Sequence, residues 1–433
     1  MEIQYWDRAR ETMAREALKT LQLEKLKIQV DRALSAPFYR DRLAEAGITS
    51  SDSLRTLEDL RRIPFTTKHD LRDSYPYGML AVDKAEVVRL HASSGTTGKP
   101  TVIYLTAGDL KNSTDITTRS VVCTGGTPED VFQNMMTYGL FTGGLGLHYG
   151  AENLGMLVIP ASAGNTRRQF QMMRDFQTTV VHATPSYLLH IYSRLEESGF
   201  RLTDFALKKA FIGAEPHSED IRLKIEELYG IDAYNSYGLS EMNGPGLAFE
   251  CLYKEGMHVW EDAYIMEVVD PDTLEPVPDG EEGELVFTIL HREAMPILRY
   301  RTRDLTRIIP EPCRCGRTHR RIARIKGRTD DMLIINGVNV FPSQIEEVIM
   351  GLPEVGTNYL IVVEKEGALD RLTVKTEVGP AVLTDDTRDL YALKHRIKEM
   401  LKASISISPQ VELHEPGFLP VSEGKAVRVV DER

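Results

Sequence analysis

Between residues 155 and 230 the chain switches repeatedly between two periodicities. The short apolar runs "GMLVIPA" and "TTVVHATP" are bounded by turn residues and read as buried strands. Helical patterns alternate with them. "PSYLLHIYSRLEESG" reads as a helix ending at Gly199, and "SEDIRLKIEELYG" as a helix with Ser218 as N-cap. "ALKKAFIGAE" reads as a helix end running into a strand. Strands that alternate with helices pack them on the faces of a sheet, which predicts an α/β core with substantial parallel sheet.

The pattern differs at the two ends. Leu23, Leu26, Val30 and Ala33/Leu34 repeat at helical spacing until Pro37. After "GEEGELVFTIL" the chain reads as strands and turns, and from about residue 327 its character changes again. "PSQIEEVIMGLPEV" offers a capping box, Ser343 with Glu346, and an apolar face of Ile345, Val348, Ile349 and Leu352. The strand "NYLIVVEKE", the alternating "RLTVKTEV", the helix "TRDLYALKHRIKEMLKA" and "QVELHE" follow. A chain of 433 residues exceeds one ordinary core. The expectation is a large N-terminal domain of mixed sheets and helices, 1–328, and a small α+β domain, 329–433.

Net charge is −12, which argues against a general nucleic-acid or anionic-membrane binder. No apolar run approaches a membrane span, and "MEIQYWDRAR" lacks an apolar signal core. Four cysteines do not make a disulfide framework in a chain this long. These features predict a cytoplasmic enzyme without nucleic-acid or membrane partners.

"HASSGTTGKP" has the glycines, hydroxyls and lysine of a phosphate-wrapping loop but does not fit G-x-x-x-x-G-K-[ST]. Ser93 stands where the first glycine is required, and Pro100 follows Lys99. "EVVRLH" and "TVIYLT" on either side read as strands, so no helix N-terminus backs the loop. Mobile backbone amides, hydroxyls and one lysine suit transient wrapping of β- and γ-phosphates. "GLSEM" lacks the second glycine of G-x-S-x-G, so Ser240 has no nucleophile elbow.

"SSGTTGKP" resembles the phosphate loop of adenylate-forming enzymes, which include acyl-CoA synthetases, adenylation domains and luciferases. "GAEP" (213–216), "YGLSE" (237–241), "YRTRD" (300–304), "GRTDDMLIINGVNVFPSQIEE" and "SEGKAVRV" (422–429) match further motifs of that superfamily in the same order. "YGLFTGGLGLHYGAENLG", "HVWED" and "EAMPILRYRTRDLTR" resemble its phenylacetate–CoA ligases. The resemblance implies attack of an aryl carboxylate on the α-phosphate of ATP, then displacement of AMP by the coenzyme A thiol.

It also implies roles. Ser93, Ser94, Gly95, Thr96, Thr97, Gly98 and Lys99 would hold the leaving pyrophosphate. Ala214, Glu215, Pro216, Asn235, Ser236, Tyr237 and Gly238 would border adenine. Asp304 would accept from the ribose hydroxyls, with an ion pair to Arg301 or Arg303 as its simpler use. Arg328 would reach ribose or phosphate, and Glu241 would hold Mg²⁺. Lys425 would neutralise charge between carboxylate and α-phosphate. Asp330 would be the hinge of the C-terminal lid, with Gly337 on the face presented for the second step. Asn339 departs from longer synthetases, many of which carry Arg there. Tyr138, Phe141, Gly144, Ala214 and Pro245 would form a flat slot for the aryl ring, with core packing the alternative for Tyr138 and Phe141. No carrier domain follows residue 433, which favours free coenzyme A, and a homodimer is the family expectation.

The cysteines point to a second site. Cys251 precedes His258, and Cys313 and Cys315 flank a single residue before Gly316. Three thiolates and an imidazole match a closed tetrahedral zinc site, with His319 competing with His258 as fourth ligand. Cys123 is left over as core.

Overall fold

The computed structural model describes residues 3–93, 100–366, 369–379, 387–420 and 427–433. Among the described residues no helix is long and apolar enough to cross a membrane. The chain forms two compact units, residues 1–162 with 234–324 and residues 163–233 with 325–433.

The first unit is built on an all-antiparallel run of strands. Their order is Tyr264–Val269, Glu282–Ile289, Tyr300–Ile309, Arg321–Ile322, Met257–Val259, Gly244–Glu250 and Asp232–Leu239. Val131–Asn134 and Leu157–Ile159 form a parallel pair. The helix Arg15–Ser35 covers the sheet with the stripe expected of it. Leu26, Val30 and Ala33 join Ile265, Leu290 and Leu298 in one core cluster. Pro37 does not merely end that helix; it opens the next, Pro37–Glu45, at a first-turn position that needs no N–H.

The strands Val87–Ser93 and Thr101–Thr106 pair antiparallel with Ser93 opposite Thr101, the strand–loop–strand frame expected around the phosphate loop. The phosphate candidates Ser94, Gly95, Thr96, Thr97, Gly98 and Lys99 lie outside the described residues.

In the second unit Val180–Ala183 and Lys209–Gly213 form a parallel pair, followed by the helix Glu219–Tyr229, which Ser218 caps through the Ile221 amide. The helix end expected at the start of "ALKKAFIGAE" is not formed. Residues 205–208 carry no helix, and only the 3-10 turn Leu202–Asp204 precedes the strand. A segment that short cannot offset the cost of nucleating an α-helix. Four strands, ordered Gln410–His414, Leu369–Val378, Val355–Glu366 and Val429–Asp431, carry the helices Pro342–Met350 and Thr387–Ile405. The capping box predicted from Ser343 and Glu346 is not formed. The helix starts earlier, because Pro342 takes the first helical position and the Gln344 side chain accepts from the Phe341 N–H at 3.0 Å. Glu346 is buried instead.

Candidate active site

The strand Asp232–Leu239 and the short 3-10 turn Ser240–Met242 carry most of the nucleotide candidates of the first unit. Asn235 and Ser236 are buried and Tyr237 is half-buried. The Asn235 N–H donates to Glu250 Oε2 at 2.7 Å, which fixes the strand end. Gly238 is required by close approach, since a Cβ there would lie 2.0 Å from the Gly244 carbonyl oxygen. The turn then folds back through Asn243, a non-glycine residue at φ 74°.

Tyr237 and Asp304 meet. The phenol donates to Asp304 Oδ2 at 2.5 Å. Arg301 and Arg303 both engage Glu284, at 2.7 and 3.5 Å. The contact between Tyr237 and Asp304 joins an adenine candidate to the ribose candidate. Arg303, just before Asp304, has φ 69°, and left-handed backbone outside glycine concentrates at functional turns.

Glu241 is buried. Its main chain is clamped by groups that sequence reasoning missed. Arg292, fully buried, donates through Nη2 to the Glu241 carbonyl at 3.0 Å and also to Asn243 Oδ1. Asn243 Nδ2 meets His291 Nε2 at 2.8 Å, and the Tyr264 phenol donates to the Met242 carbonyl at 3.1 Å. Burial holds His291 down at about 4, so its ring is neutral and accepts from Asn243. "LHREAMP" gave no signal for this clamp, because a lone Arg in a mixed run reads as surface.

The aryl-slot candidates of this unit lie on or beside the helix Thr142–Leu154. Tyr138 is half-buried, its hydroxyl 3.0 Å from His148 Nδ1, and burial pushes its phenol up to about 12. Phe141 is 45% exposed, so neither aromatic ring is core. The Gly144 carbonyl accepts from Asn134 Nδ2 at 2.6 Å, and Pro245 lies on Gly244–Glu250, which packs on the same helix.

The second unit holds the other candidates. Ala214 is exposed at φ 67°, and Pro216 is exposed beside it. The Glu215 carboxylate accepts from the Ser186 N–H at 2.7 Å and its hydroxyl at 3.0 Å. Arg328 and Asp330 form a bidentate ion pair at 2.8 and 2.9 Å, joining a nucleotide candidate to the hinge candidate. Gly337, at φ 84°, follows Asn336 in the two-residue hairpin loop between Leu333–Ile335 and Val338–Val340. Lys425 lies outside the described residues.

The cysteine candidates converge inside the first unit. Ligand atoms of Cys251, His258, Cys313 and Cys315 all lie within 4.8 Å of one another, and all four residues are buried. Cys251 Sγ is 3.6 Å from Cys313 Sγ, and Cys315 Sγ is 3.3 Å from His258 Nε2. The edges of a zinc tetrahedron built with ordinary Zn–S and Zn–N bonds are about 3.5–3.8 Å, so this donor set fits the ion. His258 Nδ1 lies 2.9 Å from the His319 carbonyl, which orients Nε2 toward the sulfurs. His319 itself is used on both nitrogens, by the Glu261 N–H at 3.1 Å and the Arg10 carbonyl at 3.0 Å. The choice left open between the two histidines therefore falls to His258. All four cysteines are free, and Cys123 is buried with its thiol on the Ser120 and Glu250 carbonyls, outside the four-donor group.

The N-terminus straps this hook. The Tyr5 hydroxyl donates to the Cys315 carbonyl at 2.8 Å, and buried Glu11 accepts from Arg317 Nε at 2.6 Å. Gly316 turns at φ 76° under Tyr5, whose hydroxyl would lie 2.9 Å from any Cβ there.

The family described as AMP-binding enzyme matches residues 9–289, and AMP-binding enzyme C-terminal domain matches 337–433. The chain is 49% identical to the phenylacetate-coenzyme A ligase of Thermus thermophilus, over 98% of each chain. A solved structure of 2-hydroxyisobutyryl-CoA ligase in the postadenylation state, in complex with R3-HIB-AMP, matches with a TM-score of 0.93 at 29% identity, covering 99% of this chain and 92% of that one. The same ligase with 2-HIB-AMP and CoA in the thioesterfication state matches with a TM-score of 0.74 at 30% identity and the same coverage. The chain belongs to the AMP-binding enzyme family, among the phenylacetate–coenzyme A ligases.

Proposed function

We propose that this protein joins phenylacetate, or a closely related aryl acid, to coenzyme A with cleavage of ATP. The likeness to the Thermus thermophilus ligase over 98% of both chains carries this reading. In the first half-reaction the carboxylate oxygen attacks the α-phosphorus, and the bond to the β-phosphate oxygen breaks to release pyrophosphate. In the second the coenzyme A thiol gives up its proton, the sulfur attacks the acyl carbon, and AMP leaves.

Tyr237 and Asp304 would seat adenine and ribose, their contact fixing one against the other. Glu241, held by the Arg292 clamp, would present a hard oxygen ligand to Mg²⁺. When bound, Mg²⁺ offsets charge on the phosphates. Lys99 and the rest of the glycine-rich loop would cover the pyrophosphate, and Lys425 would sit between carboxylate and α-phosphate. Tyr138, Phe141, Gly144, Ala214 and Pro245 would line the acid slot. Residues 329–433 would be the lid domain, turning at Asp330. Structural zinc would be held by Cys251, His258, Cys313 and Cys315 with no position open for chemistry. On family grounds we infer a cytoplasmic homodimer.

Asp304→Ala should raise the KM for ATP by about tenfold or more and leave the KM for the acid within about twofold, since only the nucleotide loses a partner. Equal rises in both would mean that Asp304 supports the fold and not the ribose.

The function itself is tested by AMP release across aryl and alkyl acids, with and without coenzyme A. AMP release that requires coenzyme A and yields phenylacetyl thioester supports the reading. Release driven by an amine or a carrier thiol instead would assign the same adenylation chemistry to another acceptor.

A further inference from the structure

Glu346, read from sequence as a helix cap, is a buried carboxyl at the meeting point of four segments of the second unit. The Tyr359 hydroxyl, from the strand Val355–Glu366, donates to Glu346 Oε2 at 2.8 Å. Tyr359 is itself buried, and the Arg428 guanidinium lies 4.6 Å over its ring. Arg428 Nη1 donates to Asn358 Oδ1 at 2.7 Å and to the Tyr359 carbonyl at 3.2 Å. Its own carbonyl accepts from the Ile361 N–H at 2.8 Å, where the strand Val429–Asp431 begins to pair in parallel with Val355–Glu366. Arg428 is three residues after Lys425 in "SEGKAVRV". From the other side, the helix Pro342–Met350 that carries Glu346 packs on the helix Glu219–Tyr229, whose N-cap Ser218 closes the segment begun by "GAEP".

We propose that Glu346, Tyr359 and Arg428 form a latch that seats the lysine-motif strand against the 215–218 segment, making all three positioning residues for acyl-adenylate formation and not for thioester formation. The proposal rests on the reading that Lys425 serves the first half-reaction. Arg428 grips the strand that follows Lys425, Tyr359 carries that grip to Glu346, and the helix that bears Glu346 packs beside the adenine-contact candidates. These residues and the strand paired to Val355–Glu366 move as one piece, so the second half-reaction requires release of the Glu346 helix from Glu219–Tyr229.

The chemistry of the contact makes the latch sensitive to pH. Burial, opposed by Tyr359 and Arg428 and reinforced by Glu215, pushes Glu346 up to about 7. Once undocked and hydrated, its carboxyl returns to the ordinary range, so docking takes up a proton. The latch is then fully favoured below that ordinary range and is lost as pH rises through about 7.

The test uses full-length protein and both half-reactions. Pyrophosphate exchange with ATP and phenylacetate reads the first, and thioester formation from synthetic phenylacetyl-adenylate and coenzyme A reads the second. Glu346→Ala and Tyr359→Phe should each slow exchange by about tenfold and leave thioester formation within about twofold. Glu346→Gln, neutral and shaped like the protonated acid, should keep exchange and should abolish its decline between about pH 6 and pH 8.5. Equal loss of both half-reactions in Glu346→Ala, or a Glu346→Gln profile that falls with pH as the parent's does, would overturn the latch. Lys425→Ala run in parallel separates the two readings. If it alone loses exchange, with Glu346→Ala and Tyr359→Phe unaffected, the latch fails and the role of Lys425 stands. If it keeps exchange while those two variants are slow, the role of Lys425 fails, and with it the proposal that the latch acts by seating that lysine.

Discussion

Lys425→Ala is expected to reduce acyl-adenylate formation by about a hundredfold or more, while thioester formation from preformed acyl-adenylate continues at close to the parent rate. The reason is electrostatic. The first step brings an anionic carboxylate to an anionic α-phosphate, and a single ammonium placed between them acts where the charge converges. The second step has no such meeting of anions, because the phosphate already carries the acyl group and departs as AMP. Single-turnover measurements of each half-reaction check this directly. A loss shared equally by both would assign Lys425 to stability or to nucleotide binding in general. Lys425→Arg adds a second reading, since a planar fork on a different stem keeps the charge and moves its position.

The second large effect is expected at the cysteine–histidine cluster. Protein purified without chelator should hold close to one zinc per chain, and less than about half an equivalent would remove zinc from the account. Cys315→Ser should lose the metal and destabilise the first unit by about 4 kcal/mol, lowering its melting temperature by about 10 °C. The three remaining buried donors would then be left without the ion that joins them. The damage should extend to the N-terminus, because Tyr5 bonds the Cys315 carbonyl and Glu11 pairs with Arg317 two residues on. Faster proteolysis ahead of the helix Arg15–Ser35 in the metal-free protein is the accompanying result. Residual adenylation at low temperature is expected to persist, since none of the four ligands belongs to the nucleotide candidates.

Much of this was legible in the order of residues. Local spacing is sufficient where an element is decided by its own sequence. The Arg15–Ser35 helix, the Ser218 cap, the strands around the phosphate loop and the alternating Leu369–Val378 strand are of that kind. The convergence of Cys251, His258, Cys313 and Cys315 was also legible, because thiolates and imidazole at short spacing have few other uses. The choice of His258 over His319 was not, since it depends on which ring nitrogens the Glu261 amide and the Arg10 carbonyl occupy.

Where sequence reading failed, two local rules competed or a partner came from far along the chain. Ser343 and Glu346 have capping-box spacing, but Pro342 claims the first helical position and turns Glu346 inward to Tyr359. Arg292 drew no reading from the sequence and is fully buried, 51 residues from the Glu241 carbonyl it holds. Asp304 stands among arginines, and its contact with Tyr237 joins it to a residue far back in the chain. The sequence by itself determined the class of fold, the order of the motifs and the chemical types available to the site. The tertiary structure alone decided which of those groups face one another, because hydrogen bonds and ion pairs act over a few ångströms and the residues that make them here are separated by tens to hundreds of positions.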